Sequence, residues 1–206
     1  MGEKILGEKG FLLMVITSPK DISGEVEYLE ALLEAGVDKL HLRKPEGTVE
    51  GLVKRLAPRW ASRLVIHGNI GLAMRYGVPQ IHGALGLARD AGRLLVSTSV
   101  HSWGELKRLP WWITYSFISP LFDSISKRGY AANSELLDIP PGPLACRPVG
   151  LGGISADNIG LMIARGWTAA ALLGWIWEEP REAVTRFEQI KKIIDGQAKG
   201  VGDSGI

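Results

Sequence analysis

The chain contains a single cysteine, Cys146, so it cannot form an internal disulfide, and this favours a reducing compartment. No apolar run approaches the ~20 residues that a membrane span requires. The net charge is only +2 and no basic run stands out, so the composition does not favour a nucleic-acid partner. Residues 1–9 lack the apolar region of a secretory signal. We expect a cytoplasmic protein without nucleic-acid or membrane partners; the sequence leaves homo-oligomerisation open.

Eight short apolar segments alternate with segments of helical periodicity. Strands are predicted over residues 11–17, 39–43, 63–66, 79–82, 94–99, 112–117, 147–150 and 169–173. Helices are predicted over residues 26–36, 48–60, 69–76, 102–109, 155–166 and 182–194. After the fourth strand, the helix is reduced to residues 84–91 or absent.

Eight strands joined by crossovers of helical length predict an α/β fold, a single (β/α)8 TIM barrel with trimmed helices. The alternative is an open doubly wound sheet, which usually has fewer strands at this length. The barrel is predicted over residues 11–195, followed by a flexible, glycine-rich tail over residues 196–206. In such a barrel the site lies at the carboxyl ends of the strands.

Two loops after predicted strands have the composition of anion-binding loops. The loop after strand six carries two hydroxyls and a cation: Ser124, Ser126 and Lys127. After strand seven, Gly152 and Gly153 allow a close backbone approach to a ligand, and Gly174 follows strand eight. Loops seven and eight form the usual phosphate position of these barrels. The combination predicts a substrate with two anionic ends, or two phosphorylated substrates.

The chain's four histidines fall at the predicted carboxyl ends of strands two to five: His41, His67, His82 and His101. The alternation of side chains along a strand places His41 and Arg43 on the same side of strand two. Ser97, Ser99 and His101 share a face of strand five in the same way. Any of these histidines alone could be structural, and Arg43 could pair with a carboxylate on a neighbouring strand. A cation beside an imidazole in a barrel lumen suits an anionic ligand.

Four segments carry a resemblance to a known family. They have the sequences LHLRK (40–44), SVHS (99–102), SPLFDSISK (119–127) and GLGGI (150–154), the last followed by Asn158. In this order and spacing they resemble the thiamine phosphate synthase and thiazole tautomerase family, over residues 12–194. The resemblance implies a TIM barrel, phosphorylated pyrimidine and thiazole ligands, and an activity in thiamine biosynthesis.

The synthases of this family join hydroxymethylpyrimidine pyrophosphate to hydroxyethylthiazole phosphate and release pyrophosphate, with Mg²⁺ on the leaving group. The resemblance implies that Arg43 and Lys127 hold pyrophosphate oxygens, with Ser99 nearby. It also implies that Ser124 faces the thiazole phosphate and that the N–H of Gly153 binds it. The residues predicted to be catalytic are Lys127, Arg43, Ser99 and His101. Those predicted to bind substrate are His41, Lys44, His67, His82, Ser124, Ser126, Gly152, Gly153 and Gly174.

The sequence departs from the family at the expected metal ligands. Gly68 replaces the aspartate after strand three, and residues 83–86 after strand four lack a carboxylate. Mg²⁺ prefers oxygen ligands, so no metal ligand is predicted, although His67 and His82 could take a softer metal. Lys44 stands one position before the family's lysine, where this chain has Pro45. His41 replaces the glutamine that the family has at this position of the motif.

Three functions therefore remain open from the sequence. The first is a synthase-like transferase, because the anion-binding groups are retained. The second is a thiazole isomerase with a relocated histidine, His101 or His82, since Pro120 stands where the tautomerases have theirs. The third is a non-catalytic binder of thiamine-pathway phosphates.

Overall fold

A computed structural model describes residues 10–123 and 133–202. Within them, eight parallel strands follow one another in chain order around a closed barrel. The strands are β1 Leu12–Ile16, β2 Lys39–Leu42, β3 Leu64–His67, β4 Gln80–His82, β5 Leu95–Val100, β6 Ile113–Ile118, β7 Arg147–Leu151 and β8 Ala169–Leu172. Because β8 pairs with β1, the sheet has no open edge. The predicted TIM barrel is confirmed and the open doubly wound sheet is excluded.

Apart from the last helix, which has 20 residues, the helices on the outside of the barrel are short, as predicted. They are α1 Glu25–Ala35, α2 Glu50–Trp60, α3 Ile70–Arg75, α4 Trp103–Lys107, α5 Ile159–Ala164 and α6 Ala183–Gly202. Between β4 and β5 the crossover contains only a 3-10 turn, Leu85–Arg89. In the part of the chain that the structure describes, no helix is long and apolar enough to cross a membrane.

Two helix boundaries differ from the sequence prediction by more than two residues. The α5 helix begins at Ile159 rather than Ser155, because the Ser155 N–H donates to Asn158 Oδ1 in a turn that precedes the helix. The α6 helix continues through Gly202, into the predicted tail, and the last of its apolar residues described as buried is Ile194. The division into a barrel over 11–195 and a flexible tail stays a prediction.

The strands present side chains to two cores. Leu40 and Leu42 of β2 point outward, into the layer between the barrel and the helices. Inside the barrel, β1, β6, β7 and β8 supply an apolar cluster that includes Met14, Phe117 and Ala171. Since His41 lies between Leu40 and Leu42, its side chain points into the lumen. The lumen is therefore apolar on one side and polar on the side of β2 to β5.

Candidate functional site

Three histidines meet in the lumen. His41 lies in β2, while His67 and His82 end β3 and β4 and are direct partners in the β3–β4 register. His41 Nδ1 is 3.0 Å from His67 Nε2, and the rings of His67 and His82 stack with centroids 4.4 Å apart. One ring nitrogen of each histidine lies within 4.8 Å of the others. The fold thus brings together in one cluster three of the four histidines that the sequence places at the carboxyl ends of strands.

Two aromatic residues of β6 hold this cluster in place. The Tyr115 hydroxyl lies 2.8 Å from His41 Nε2. The Phe117 ring contacts His41 and His82, at centroid distances of 4.7 and 4.8 Å. Neither residue was among the predicted site residues. The available signal was the spacing of two in β6, which places Tyr115 and Phe117 on the lumen face.

Two serines of β5 hold His82. Its Nδ1 lies 3.0 Å from Ser97 Oγ, and its Nε2 lies 3.0 Å from Ser99 Oγ. His82 and Ser97 are buried, whereas Ser99 is exposed to the open end of the barrel. Ser99 is therefore placed to contact both His82 and a bound molecule.

His101 lies outside this cluster. Its Nδ1–H donates to the carbonyl oxygen of Ser119 at 3.0 Å, and its backbone N–H donates to Glu105 Oε2 at 2.8 Å. The side chain is exposed. The structure thus places it beside the loop after β6 and away from the three lumen histidines.

The lumen histidines are uncharged at neutral pH. Burial lowers the pKa of His41 well below its ordinary value, and the neighbouring His67 and His82 lower it further. Burial, His82 and Arg43 lower the pKa of His67 to about 2. Burial and Arg43 lower the pKa of His82 to about 4. The cluster therefore consists of neutral imidazoles, each with one ring nitrogen that accepts a hydrogen bond or, in its place, binds a metal ion.

A cavity of about 390 Å³ opens beside the cluster, at the carboxyl ends of β2, β3 and β4. His67 and His82 form part of its wall, and Arg43 lies at its exposed rim. The Arg43 backbone is fixed by Thr17, whose hydroxyl accepts from the Arg43 N–H at 2.8 Å. Among the residues that the structure describes, no carboxylate pairs with the Arg43 guanidinium. This cation is available to an anionic ligand.

Lys44, next to Arg43, forms contacts with other residues of the protein. Its ammonium lies 2.7 Å from Glu25 Oε2 and donates to the Lys20 carbonyl at 2.8 Å. The side chains of Lys44 and Glu25 are only 4% and 7% exposed. The pair connects the end of β2 to the first turn of α1. Substrate binding by Lys44 stays a prediction, with its charge already balanced by Glu25.

The glycine loop after β7 packs against Phe122, in the loop that follows β6. Gly152 and Gly153 have φ values of 101° and 63°, which favour glycine. A Cβ on Gly153 would lie 2.8 Å from the Phe122 carbonyl carbon, and the Phe122 N–H donates to the Gly152 oxygen. Asn158 Nδ2 donates to the Gly153 carbonyl at 2.8 Å. The close approach seen here is to the loop after β6; phosphate binding by Gly152 and Gly153 stays a prediction.

The remaining predicted residues belong to the loops after β6 and β8. Ser124, Ser126 and Lys127 lie outside the described residues, beyond the Phe122 contact with the glycine loop. Gly174 follows β8 and precedes the 3-10 turn Trp175–Trp177. Its φ of −57° is one that any residue adopts, so the backbone conformation alone does not explain this glycine.

The residues around the cavity do not fit Mg²⁺. In the described part of the chain, its lining contains no carboxylate. Gly68 and Gly83 stand at the ends of β3 and β4, and Asp90, the next carboxylate after β4, is exposed. Mg²⁺ takes oxygen ligands, whereas the groups gathered here are imidazole nitrogens.

No protein-family model matches the chain, and the known proteins similar to it include a thiamine-phosphate synthase and two thiamine phosphate pyrophosphorylases. A thiamine-phosphate synthase from Leuconostoc citreum (strain KM20) is 26% identical over 187 residues, covering 78% of this chain and 86% of that protein. The crystal structure of thiamine phosphate pyrophosphorylase from Bacteroides thetaiotaomicron is 26% identical, with a TM-score of 0.67 over 90% of this chain and 98% of that one. The enzyme of that name from Pyrococcus furiosus is 17% identical, has a TM-score of 0.72, covers 90% and 96% of the two chains, and supports the fold alone.

Proposed function

We propose that this chain, a divergent member of the thiamine phosphate synthase and thiazole tautomerase family, joins hydroxymethylpyrimidine pyrophosphate to hydroxyethylthiazole phosphate and releases pyrophosphate. The observation that carries the proposal is Arg43, an exposed cation on the cavity rim with no carboxylate partner among the described residues. Uncompensated positive charge at a barrel's catalytic end suits a ligand that carries or develops negative charge.

Arg43 supplies what the leaving group needs. As the bond to the pyrimidine breaks, negative charge accumulates on the departing pyrophosphate. A guanidinium offers planar paired N–H donors that match phosphate oxygens, and it stays charged at every relevant pH. The Ser99 hydroxyl, oriented by His82, adds a neutral donor at the same end of the barrel.

The second phosphorylated substrate belongs at the loops after β6, β7 and β8 in this proposal. Within the described residues, no hydrogen bond uses the Gly153 N–H, which supports its predicted contact with the thiazole phosphate. Ser124, Ser126 and Lys127 would complete the anion site from the loop after β6. The clamp of Asn158 on Gly153 holds the glycine loop in shape for this purpose.

A second candidate is the isomerase, and the environment of His82 favours it. An isomerisation by proton transfer needs a neutral base beside the substrate. His82 lies in the wall of the cavity, and burial and Arg43 lower its pKa to about 4, so its imidazole is uncharged at pH 7 although it is a weak base. The Ser99 hydroxyl at its Nε2 offers a route by which a proton could reach that nitrogen.

The test of the transferase is formation of thiamine phosphate from the two phosphorylated precursors by the purified chain. Arg43→Ala should lower turnover and pyrophosphate affinity by about ten- to hundredfold, since a charge-assisted contact contributes roughly 1.5–3 kcal/mol. Arg43→Lys keeps the charge without the paired donors, so it should recover part of the loss.

Arg59→Ala is the matched control for Arg43→Ala, because Arg59 is an exposed arginine of α2 paired with Glu34. It should leave both measurements unchanged. Absence of thiamine phosphate in the unmodified protein would overturn the transferase proposal. Interconversion of thiazole phosphate isomers, followed by NMR, would then support the isomerase, and calorimetric binding without either reaction would indicate a non-catalytic binder.

A further inference from the structure

We propose that His41, His67 and His82 form a site for a divalent transition metal of the Zn²⁺ class. Each contributes one ring nitrogen, and these nitrogens lie within 4.8 Å of one another. Imidazole is a ligand that suits Zn²⁺, Ni²⁺, Cu²⁺ and Fe²⁺ but not Mg²⁺. Three protein ligands with one open position are typical of catalytic rather than structural zinc sites.

One donor pair, His41 Nδ1 and His67 Nε2, has a separation close to that around a bound ion. In a tetrahedral site with metal–nitrogen bonds of about 2.0–2.1 Å, neighbouring donor nitrogens lie about 3.3 Å apart. His41 Nδ1 and His67 Nε2 already face one another at 3.0 Å, with one proton between them. A metal ion would replace that proton once the two nitrogens separate by a few tenths of an ångström and the rings turn toward a point beside the line that joins them. His82 must give up one of its serine contacts, since both of its ring nitrogens lie 3.0 Å from a serine hydroxyl.

Groups that orient a metal-bound ring are present for His41 and His82. When one ring nitrogen binds a metal, the other usually donates to an oxygen that fixes the ring. For His41 bound through Nδ1, the oxygen is that of Tyr115, 2.8 Å from Nε2. If His82 binds through Nε2, its Nδ1 faces the Ser97 hydroxyl; if it binds through Nδ1, its Nε2 faces the Ser99 hydroxyl.

The position of the cavity determines what else the metal binds. His67 and His82 border the cavity while His41 is fully buried, so the ion enters from the cavity and keeps its open position toward it. Arg43 stands at the same rim, and its positive charge disfavours a bare cation. An anionic oxygen in the cavity offsets both charges. Metal and pyrophosphate should therefore bind cooperatively.

The experiment uses the full chain, stripped of metal with EDTA and then given Co²⁺ or Zn²⁺ alone. We expect one equivalent of Co²⁺ to produce the visible absorption bands of a tetrahedral nitrogen site, and Zn²⁺ to displace it. His67→Gln and His82→Gln should each lose more affinity than the roughly 10–100-fold that loss of an orienting partner costs. His101→Gln is the matched control, since this histidine lies outside the cluster, and its Co²⁺ affinity should not change.

A second measurement tests the link to the anion. Pyrophosphate should raise the affinity for Zn²⁺ by roughly 5–150-fold, and Zn²⁺ should raise the affinity for pyrophosphate by the same factor. Absence of Co²⁺ binding in the unmodified protein would overturn the proposal without any variant. Equal binding in folded His67→Gln and His82→Gln proteins would also overturn it. Because the readout is metal binding, failure of the transferase assay leaves this result unaffected.

Discussion

Glycine stands at position 68, where the resemblance implies a carboxylate for Mg²⁺. Its φ is 70°, and a Cβ built there meets no heavy atom within 4 Å. The space around the end of β3 therefore accepts a side chain, and only the backbone conformation opposes one. Asp and Asn tolerate this left-handed region better than other residues. Position 68 is thus the place at which an oxygen ligand can be restored.

Gly68→Asp should increase Mg²⁺ affinity and Mg²⁺-dependent formation of thiamine phosphate. Gly68→Asn, which has the same shape and backbone preference without the charge, should do neither. Both should lower the free energy of unfolding to a similar extent, because the left-handed conformation costs roughly 1–2 kcal/mol for a residue with a Cβ. The measurements are calorimetry with Mg²⁺ and turnover with and without EDTA. Full turnover of the unmodified protein, lost with EDTA and restored by Mg²⁺ alone, would contradict this assignment.

His41 and Lys44 show what the sequence can and cannot predict at a single residue. Alternation along β2 correctly separates His41 from Leu40 and Leu42, because it follows from strand geometry alone. The partner of Lys44 does not follow from any local pattern, since Glu25 is brought to it by the packing of α1 on the barrel. The contact between Tyr115 and His41 was not predicted for a similar reason: the two residues lie far apart in the chain.

At the scale of elements, the Glu25–Lys44 pair ties α1 to the end of β2. Glu25 lies in the first turn of α1, whose N-cap, Gly24, provides no side-chain cap. Burial raises the pKa of Glu25 from its ordinary value of 4.5, while the hydrogen bond and charge of Lys44 act in the opposite direction. The carboxylate thus depends on Lys44 to remain ionised in this position.

Lys44→Met should lower the free energy of unfolding by about 3–5 kcal/mol, because it leaves a buried carboxylate without its partner. Without Lys44 the pKa of Glu25 rises further, so the folded protein binds this proton more tightly than the unfolded chain. The stability due to Glu25 is then complete below the unfolded pKa and is lost as the pH rises through the folded pKa. Denaturant unfolding should show the deficit widening as the pH rises above 4.5, the ordinary pKa of this carboxyl.

The double variant Lys44→Met with Glu25→Gln is the control for that titration. It removes the ionisable group, so its stability should be greater than that of Lys44→Met at pH 7 and should lack the added pH dependence. A deficit that is the same at all pH values in both variants would mean that packing, rather than the unpaired charge, is the cause.

The elements themselves could be predicted from the sequence because strands and helices have strong local signals. Continuous apolar runs mark β1 and β8, and Gly36 ends α1 in a left-handed cap, as its position after the last periodic residue indicates. The start of α5 could not be placed, because it depends on the bond between Asn158 and the Ser155 N–H. The end of α6 could not be placed either, since its glycines do not interrupt the helix before Gly202.

At the scale of the whole molecule, the lumen of the closed barrel has an apolar half and a polar half. The β8 strand contributes Ala169 and Ala171, whose small side chains share the apolar half with Met14 and Phe117. The polar half belongs to β2–β5 and is where the cavity opens. This division follows from which strands carry histidine and serine at lumen positions, and it places the site on one side of the barrel axis.

The α6 helix covers the barrel by packing against α1 and α5. Its buried apolar residues are Ala183, Phe187, Ile190 and Ile194, and the exposed Asp195, Gly196 and Gln197 follow them. The buried apolar residues described for this helix therefore end where the predicted barrel ends, and the helix itself continues to Gly202. The last turns are helical without contributing a described residue to the core.

A chain that stops after Asp195 should accordingly keep the stability and the ligand binding of the full chain. Its free energy of unfolding should change by less than about 0.5 kcal/mol, as expected for surface changes that leave the core intact. Ile190→Ala in the full chain provides the comparison; it should cost about 2–5 kcal/mol, because it empties a fully buried site. Denaturant unfolding of the three proteins measures both effects. Truncation that destabilised the chain as strongly as Ile190→Ala would contradict this prediction. The segment after residue 195 would then belong to the barrel domain rather than to a tail.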